Sequence, residues 1–233
     1  MLKVINLVAR DLPDAWFQAV YKLLEVGEIF TIDKGSYVGE KRLEYDYVTI
    51  HITHPGVRPL SPDIPSFYGI PNPTSDKYIE EDYLPYLIED QKKPGEYYTY
   101  GLYIKPQMNK IIERYKKVKA DTGGYRSNQE HMIIGHYLDH LDMPDPPCLR
   151  SIDTRIQDNK LHFFIYFRSW DLWGGFPANL GGLQLMKELM SNEIGVEDGE
   201  MVVSSKGLHL YKYVWELAQL RTNKQRADLQ KDG

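Results

Sequence analysis

A strand that runs into a helix through a short polar passage constrains this chain more than any other stretch. Leu161, Phe163, Ile165 and Phe167 alternate with His162, Phe164, Tyr166 and Arg168, the period of a strand built from residues that suit a sheet. Pro177 suits the first position of a helix, where its missing N–H has no partner to lose, and Leu180, Leu183, Met186 and Met190 follow at helical spacing. Arg168, Ser169, Asp171 and Asn179 lie between the two periods. A cation, a hydroxyl, a carboxylate and a carboxamide are thus gathered where strand becomes helix.

The segment upstream predicts what meets this passage. Ile152 to Gln157 and Lys160 to Phe167 flank Asp158-Asn159, a natural turn pair, so an antiparallel hairpin is expected. A two-residue turn pairs Gln157 with Lys160 and, counted outward, sets Cys148 opposite Ser169; a bulge shifts this by one. Either register brings the sulfur beside Arg168. Cys148 is the only cysteine. It excludes an intramolecular disulfide and fits a reducing cytoplasm. Taken alone it reads as a small buried hydrophobe. The polar groups around it change that reading to a nucleophile.

The rest of the chain reads as ordinary globular material: 233 residues, 42% hydrophobic and 26% charged. A net charge of -5 provides no basic field for nucleic acid or an anionic membrane, so neither partner is expected. No apolar run reaches membrane-spanning length, and residues 1–10 lack the core and cleavage site of a secretory leader. Asp11 to Asp14 opens a helix whose stripe is Trp16, Val20, Leu23 and Leu24, ending near Gly27. Asp33-Lys34-Gly35-Ser36 is a turn, and Tyr45 to Thr53 a strand with one face buried. Residues 55–73 hold six of the fourteen prolines and make an irregular loop, either a lid or a wrapping arm.

Ser75-Asp76 starts a short helix through Ile79 and Tyr83 that Pro85 ends or kinks, with Glu80, Glu81 and Asp82 on one side. Met108 to Ala120 is a further helix and Met132 to Gly135 a strand. His136 and His140 are four apart, with His131, Asp139 and Asp142 nearby, but no third ligand sits at a defined offset, so no metal is expected. Met201 to Val203 forms a strand. Val214, Leu217, Ala218 and Arg221 make a last helix, and residues 222–233 read as a frayed polar tail.

Cys148 follows Pro146-Pro147 and lies twenty residues before Arg168; His209-Leu210-Tyr211 begins thirty residues after Asn179. This ordered set resembles the thymidylate synthase family, whose members carry a Pro-Cys nucleophile, then Arg-Ser-x-Asp continuing into Gly-x-Pro-x-Asn, then His-x-Tyr. The resemblance runs from about Asp145 to Tyr211. It implies an α/β (α+β) fold of one domain, 1–233, with a large mixed sheet flanked by helices, and a cytoplasmic homodimer. The reaction it implies is conversion of dUMP to dTMP with 5,10-methylene-tetrahydrofolate, or a methanopterin-type analogue, as the reduced pterin.

The same resemblance assigns roles. Cys148 adds to C6 of dUMP. Arg168, whose guanidinium lowers a neighbouring thiol's pKa, also binds phosphate with Ser169. Asn179 reads the N3–H and O4 of uracil, the reverse of cytosine's pattern. Asp171 orients this network, His209 and Tyr211 hold the sugar hydroxyl, and Tyr100, from Tyr98-Thr99-Tyr100-Gly101, lines the site. Lys34 is a phosphate contact, and Glu80 or Glu81 is the proton-relaying carboxylate. Family members place paired arginines before the strand at 132, reaching the partner subunit's phosphate; here only Arg126 is present. Leu149 stands where most relatives have His, the folate-contacting N-terminal segment is missing, and the tail is polar where theirs is apolar. That pattern resembles the short archaeal branch. It leaves two alternatives, a dUMP hydroxymethylase and a nucleotide-binding regulator without turnover.

Overall fold

Six strands make the main sheet: β1 (Val4–Ala9), β4 (Tyr47–Ile52), β9 (Glu197–Ser205), β7 (Lys160–Phe167), β6 (Leu149–Gln157) and β5 (His131–Ile133), in that spatial order. β1 runs parallel to β4 and β7 parallel to β9, while the other neighbours are antiparallel, which makes the sheet mixed, as the resemblance implies. This computed structural model describes residues 1–35, 37–138 and 140–229; Ser36 of the expected turn, Asp139 of the histidine-rich segment and the end of the tail lie outside the described residues.

Alternation decides which face is covered. Leu161, Phe163, Ile165 and Phe167 are buried to 3% exposure or less, whereas Phe164, one residue out of phase, is 38% exposed. Three helices supply the cover: α1 (Leu12–Val26), α4 (Gly101–Thr122) and α5 (Gly175–Ile194). Asp11 caps α1 through the Asp14 N–H, as its sequence predicts. On α5, Leu180, Leu183, Met186 and Met190 are fully buried, each stabilising by about 2 kcal/mol relative to an exposed side chain. The opposite face carries Val8, His51, Val202, Phe164, Asp153 and His131 in one row across the strands.

Several elements differ from the sequence expectation. A second sheet, β2 (Glu28–Thr31), β3 (Lys41–Glu44), β10 (Leu208–Tyr211) and β8 (Trp170–Asp171), lies beyond the main one. Pro85 does not end its helix. Short α2 (Asp76–Tyr78) passes through a π turn at Ile79–Tyr83 into α3 (Leu84–Ile88), and Pro85 sits in the first turn of α3. α4 starts at Gly101 rather than Met108 and accommodates Pro106. Gly101 is required there, because a Cβ would lie 1.8 Å from the Glu89 carbonyl oxygen.

Residues 222–229 are not frayed. After α6 (Trp215–Thr222), the Lys224 ammonium pairs with Glu25, and the Arg226 guanidinium donates to the Gly27 carbonyl at 2.8 Å. Leu229 is buried at 8% exposure. Composition marked this stretch as polar, but those polar groups satisfy the C-terminal end of α1. Among the described residues, no helix is long and apolar enough to cross a membrane.

Candidate functional site

The hairpin forms as counted, with one adjustment. Gln157 pairs with Lys160, and Asp158 and Asn159 both adopt left-handed backbone (φ 52° and 59°), as a two-residue turn of this kind requires. A bulge between Leu149 and Ser151 then shifts the register, so Leu149 faces Phe167 and the Arg168 N–H donates to the Cys148 carbonyl at 2.9 Å. Cys148 therefore lies opposite Arg168, the alternative register. The guanidinium folds back over residues 145–147. It donates to the carbonyls of Pro146 and, at 3.1 Å, Pro147, and lies 3.9 Å from the Asp145 carboxylate.

This arrangement corrects one expectation. Arg168 does lower the thiol's pKa, but burial of the sulfur outweighs it, Asp145 opposes it, and the Cys148 thiol sits above its ordinary value. The desolvating wall comes from distant segments. Tyr100 is buried, and its hydroxyl accepts the Leu149 N–H at 3.2 Å, next to the sulfur. Burial and the nearby thiol push its own pKa to about 12, so it is a neutral phenol at pH 7. Tyr86 and Tyr98 pack on it with ring centroids 5.2 and 5.4 Å away. The sequence reading identified Tyr100 and missed this wall, because Tyr86 lies on α3 and Tyr98 in the loop before α4, and only the fold brings them together.

The passage after Arg168 is held by β10. Trp170 and Asp171 pair with Leu208 and His209, and the Trp170 N–H donates to the Gly207 carbonyl at 2.9 Å. Asp171 accepts from the backbone N–H groups of Trp173, Gly174 and Gly175 at 3.2, 3.0 and 2.8 Å. Its carboxylate thus closes the N-terminus of α5, where negative charge is favoured. Pro177 occupies the third helical position, not the first, still within the turn whose N–H groups lack helical partners. Ser169 is partly buried beside Arg168.

Asn179 is partly buried in the first turns of α5, with its amide engaged on both sides. The Trp170 indole N–H donates to Oδ1 at 2.7 Å, and Nδ2 donates to the Tyr83 hydroxyl. Tyr83 was not singled out from the sequence. It reaches Asn179 from the π turn and lies close enough to Cys148 and Tyr100 for both to raise its pKa, after burial. Beside the pair opens a cleft of about 630 Å³, lined by Asn72, Thr74, Tyr78, Tyr83, Ala178 and Asn179 among others.

His209 is 2% exposed, and its Nδ1–H donates to the Gly207 carbonyl at 2.8 Å, which leaves Nε2 as an acceptor. Nε2 is buried without a partner. Burial drives its pKa down to about 4, so the ring is neutral at pH 7. Tyr211 stands edge-on to it at 4.7 Å and contacts Tyr37 at 5.0 Å, which brings the turn carrying exposed Lys34 alongside. Glu44, whose carboxyl is raised by burial, lies 3.9 Å from the His209 ring and was not foreseen.

Arg126 is not brought to this site within one chain. It lines a groove with Arg155, Asp158 and Asn159 at the hairpin tip, and the nine residues of β6 set that tip roughly 30 Å from Cys148. Glu81 pairs with Lys77 at 3.8 Å on the exposed side of the π turn, and Glu80 is exposed too, so neither points its charge at the sulfur's phenolic wall. His140 Nδ1 meets the His136 carbonyl at 2.6 Å within a turn. Among the described residues, no three His, Cys, Asp or Glu side chains are placed to share a metal.

Comparison with known proteins supplies an independent line. The family model described as thymidylate synthase matches residues 89–231, more than half of the chain. A protein of Methanosarcina acetivorans named "Putative thymidylate synthase" is 23% identical over 222 residues, covering 91% of each chain. One of the same name from Methanothermobacter thermautotrophicus is 24% identical over 225 residues, 92% of this chain and 96% of that one. The thymidylate synthase of Novosphingobium aromaticivorans is 29% identical over 105 residues, 45% of this chain and 32% of that one.

Proposed function

Since the chain belongs to the thymidylate synthase family, we propose that it methylates dUMP to dTMP with Cys148 as nucleophile. The observation that carries this reading is the gathering around Cys148 of Arg168, bonded to its carbonyl, and Tyr100, bonded to the next N–H, with the Tyr83–Asn179 pair joined to Tyr100 through the ring of Tyr86. Cys148 Sγ adds to C6, and the electron pair moves to C5 and O4, which makes C5 nucleophilic. Asn179 stabilises that charge with an N–H on O4 while accepting from N3–H. His209 Nε2, a buried acceptor without a partner, accepts a hydrogen bond from a sugar hydroxyl alongside Tyr211. Arg168 and Ser169, with Lys34 from its turn, hold the phosphate. In exchanging backbone carbonyls for phosphate, the guanidinium keeps its charge near the thiol.

The cleft beside Asn179 suits a reduced pterin. It combines the rings of Tyr78 and Tyr83 with the buried, unpartnered Thr74 hydroxyl and the Asn72 amide, a flat apolar slot with polar edges. Those residues would hold the ring. A bound methylene-pterin supplies the one-carbon unit and the hydride. The Tyr100 hydroxyl, bonded to the N–H of Leu149 beside the sulfur, lines the space above the ring from which the C5 proton leaves. Arg126 completes the phosphate site of a partner subunit in a homodimer built on the open sheet face, where Val8 and Ile133 are exposed at 66% and 59%.

Intact mass after incubation with 5-fluoro-dUMP and methylene-tetrahydrofolate tests the reading. A ternary adduct that Cys148→Ser abolishes is expected. An unmodified mass with both the folate and the methanopterin analogue sinks it, and product mass separates methylation from hydroxymethylation by an oxygen.

A further inference from the structure

An amide that reads uracil must not turn over. Rotation of the Asn179 carboxamide by 180° exchanges its acceptor and donor and presents the edge that suits cytosine, which accepts at N3 and donates from its amino group. The two ends are almost isosteric, so packing alone does not choose between them. The choice needs a neighbour whose own polarity is fixed.

Tyr83 does not provide that. A phenol hydroxyl donates or accepts, so it satisfies Nδ2 in one orientation and Oδ1 in the other. The Trp170 indole N–H is a donor only. At 2.7 Å from Asn179 it can donate only to the carbonyl oxygen, Oδ1. Its ring is fixed in turn, stacked on Phe167 at 4.0 Å with planes 5° apart and against Phe176 at 4.5 Å. With one lone pair of Oδ1 and one N–H of Nδ2 already used, a single acceptor and a single donor remain, the complement of uracil's N3–H and O4.

From this geometry we infer that Trp170 is a positioning residue that sets the amide of Asn179 and thereby makes the site select uracil over cytosine nucleotides. The inference rests on the reading of Asn179 given above. Trp170→Phe keeps an aromatic ring between Phe167 and Phe176 and removes the donor, leaving Tyr83 to bond the amide in both orientations. Tyr83→Phe keeps the donor and should keep the selection.

Calorimetric titration of the full chain with dUMP and with dCMP tests this. The wild type should prefer dUMP by at least about 100-fold, as sites that reject a mispaired polar edge do. Trp170→Phe should lose tenfold or more of that ratio, chiefly by gaining dCMP affinity, whereas Tyr83→Phe retains it. A folded Trp170→Phe protein with the wild-type ratio, or a Tyr83→Phe protein that loses as much, overturns the assignment. If Trp170→Phe does not fold, hydrogen exchange in the wild type decides: an indole N–H of Trp170 protected with and without dUMP supports it, and one exchanging at the solvent rate overturns it. A wild type that binds neither nucleotide removes the uracil reading itself, a result distinct from an unchanged ratio.

Discussion

At the scale of single residues, the balance at Cys148 is the feature with the clearest consequence. Burial raises the thiol's pKa and the guanidinium of Arg168 lowers it, with burial prevailing. Reactivity of the free protein should therefore climb with pH through a midpoint above the ordinary range of a free thiol. Arg168→Gln removes the larger of the two guanidinium charges, Arg168 and Arg150, that favour the thiolate, and should slow iodoacetamide alkylation at pH 8 by about threefold to tenfold. Because the chain has one cysteine, total alkylation reports that site alone. A midpoint below pH 8, or a faster variant, contradicts this account. The adjacency of sulfur and cation was legible in the sequence, since a two-residue turn fixes the register by counting. The desolvation was not, because Tyr83 and Tyr100 arrive from segments whose positions only the tertiary fold sets.

At the scale of elements, the site depends on how closely α5 meets the π turn. Gly181 and Gly182 make this contact. A Cβ on Gly182 would lie 2.6 Å from the Tyr83 ring, and one on Gly181 2.6 Å from Ile79. Gly182→Ala should displace Tyr83 from Asn179, costing about 1–3 kcal/mol of stability from overpacking and weakening dUMP binding several-fold. Thermal melts and titration measure the two effects; a variant with unchanged melting and binding would refute the contact. Helical period, caps and the hairpin were readable, as Asp11 and Asp158-Asn159 illustrate. Pro85 was legible only as an end or a kink; the helical run goes on past it, and the π turn just before it leaves no local pattern. The second sheet escaped because β8 is two residues long, too short for alternation to register.

At the scale of the whole molecule, one face of the main sheet has no helix among the described residues, and Phe164 lies in the middle of it. If two copies meet there, Phe164→Glu should yield a monomer by sedimentation at micromolar concentration, since a buried unpaired carboxylate in each subunit opposes association by several kcal/mol. A wild type that is itself monomeric counts against the homodimer, and against Arg126 as a ligand of a neighbouring site. The other long-range feature is the clasp of Lys224 and Arg226 on the corner between α1 and β2, which joins residues 199 apart in sequence. Synthesis proceeds from the N-terminus, so α1 leaves the ribosome with the carbonyl groups of that corner facing water. The first helix of the protein is made early and finished last: Lys3 can reach the Val26 carbonyl at once, but the Gly27 carbonyl meets its guanidinium only when Arg226 has emerged.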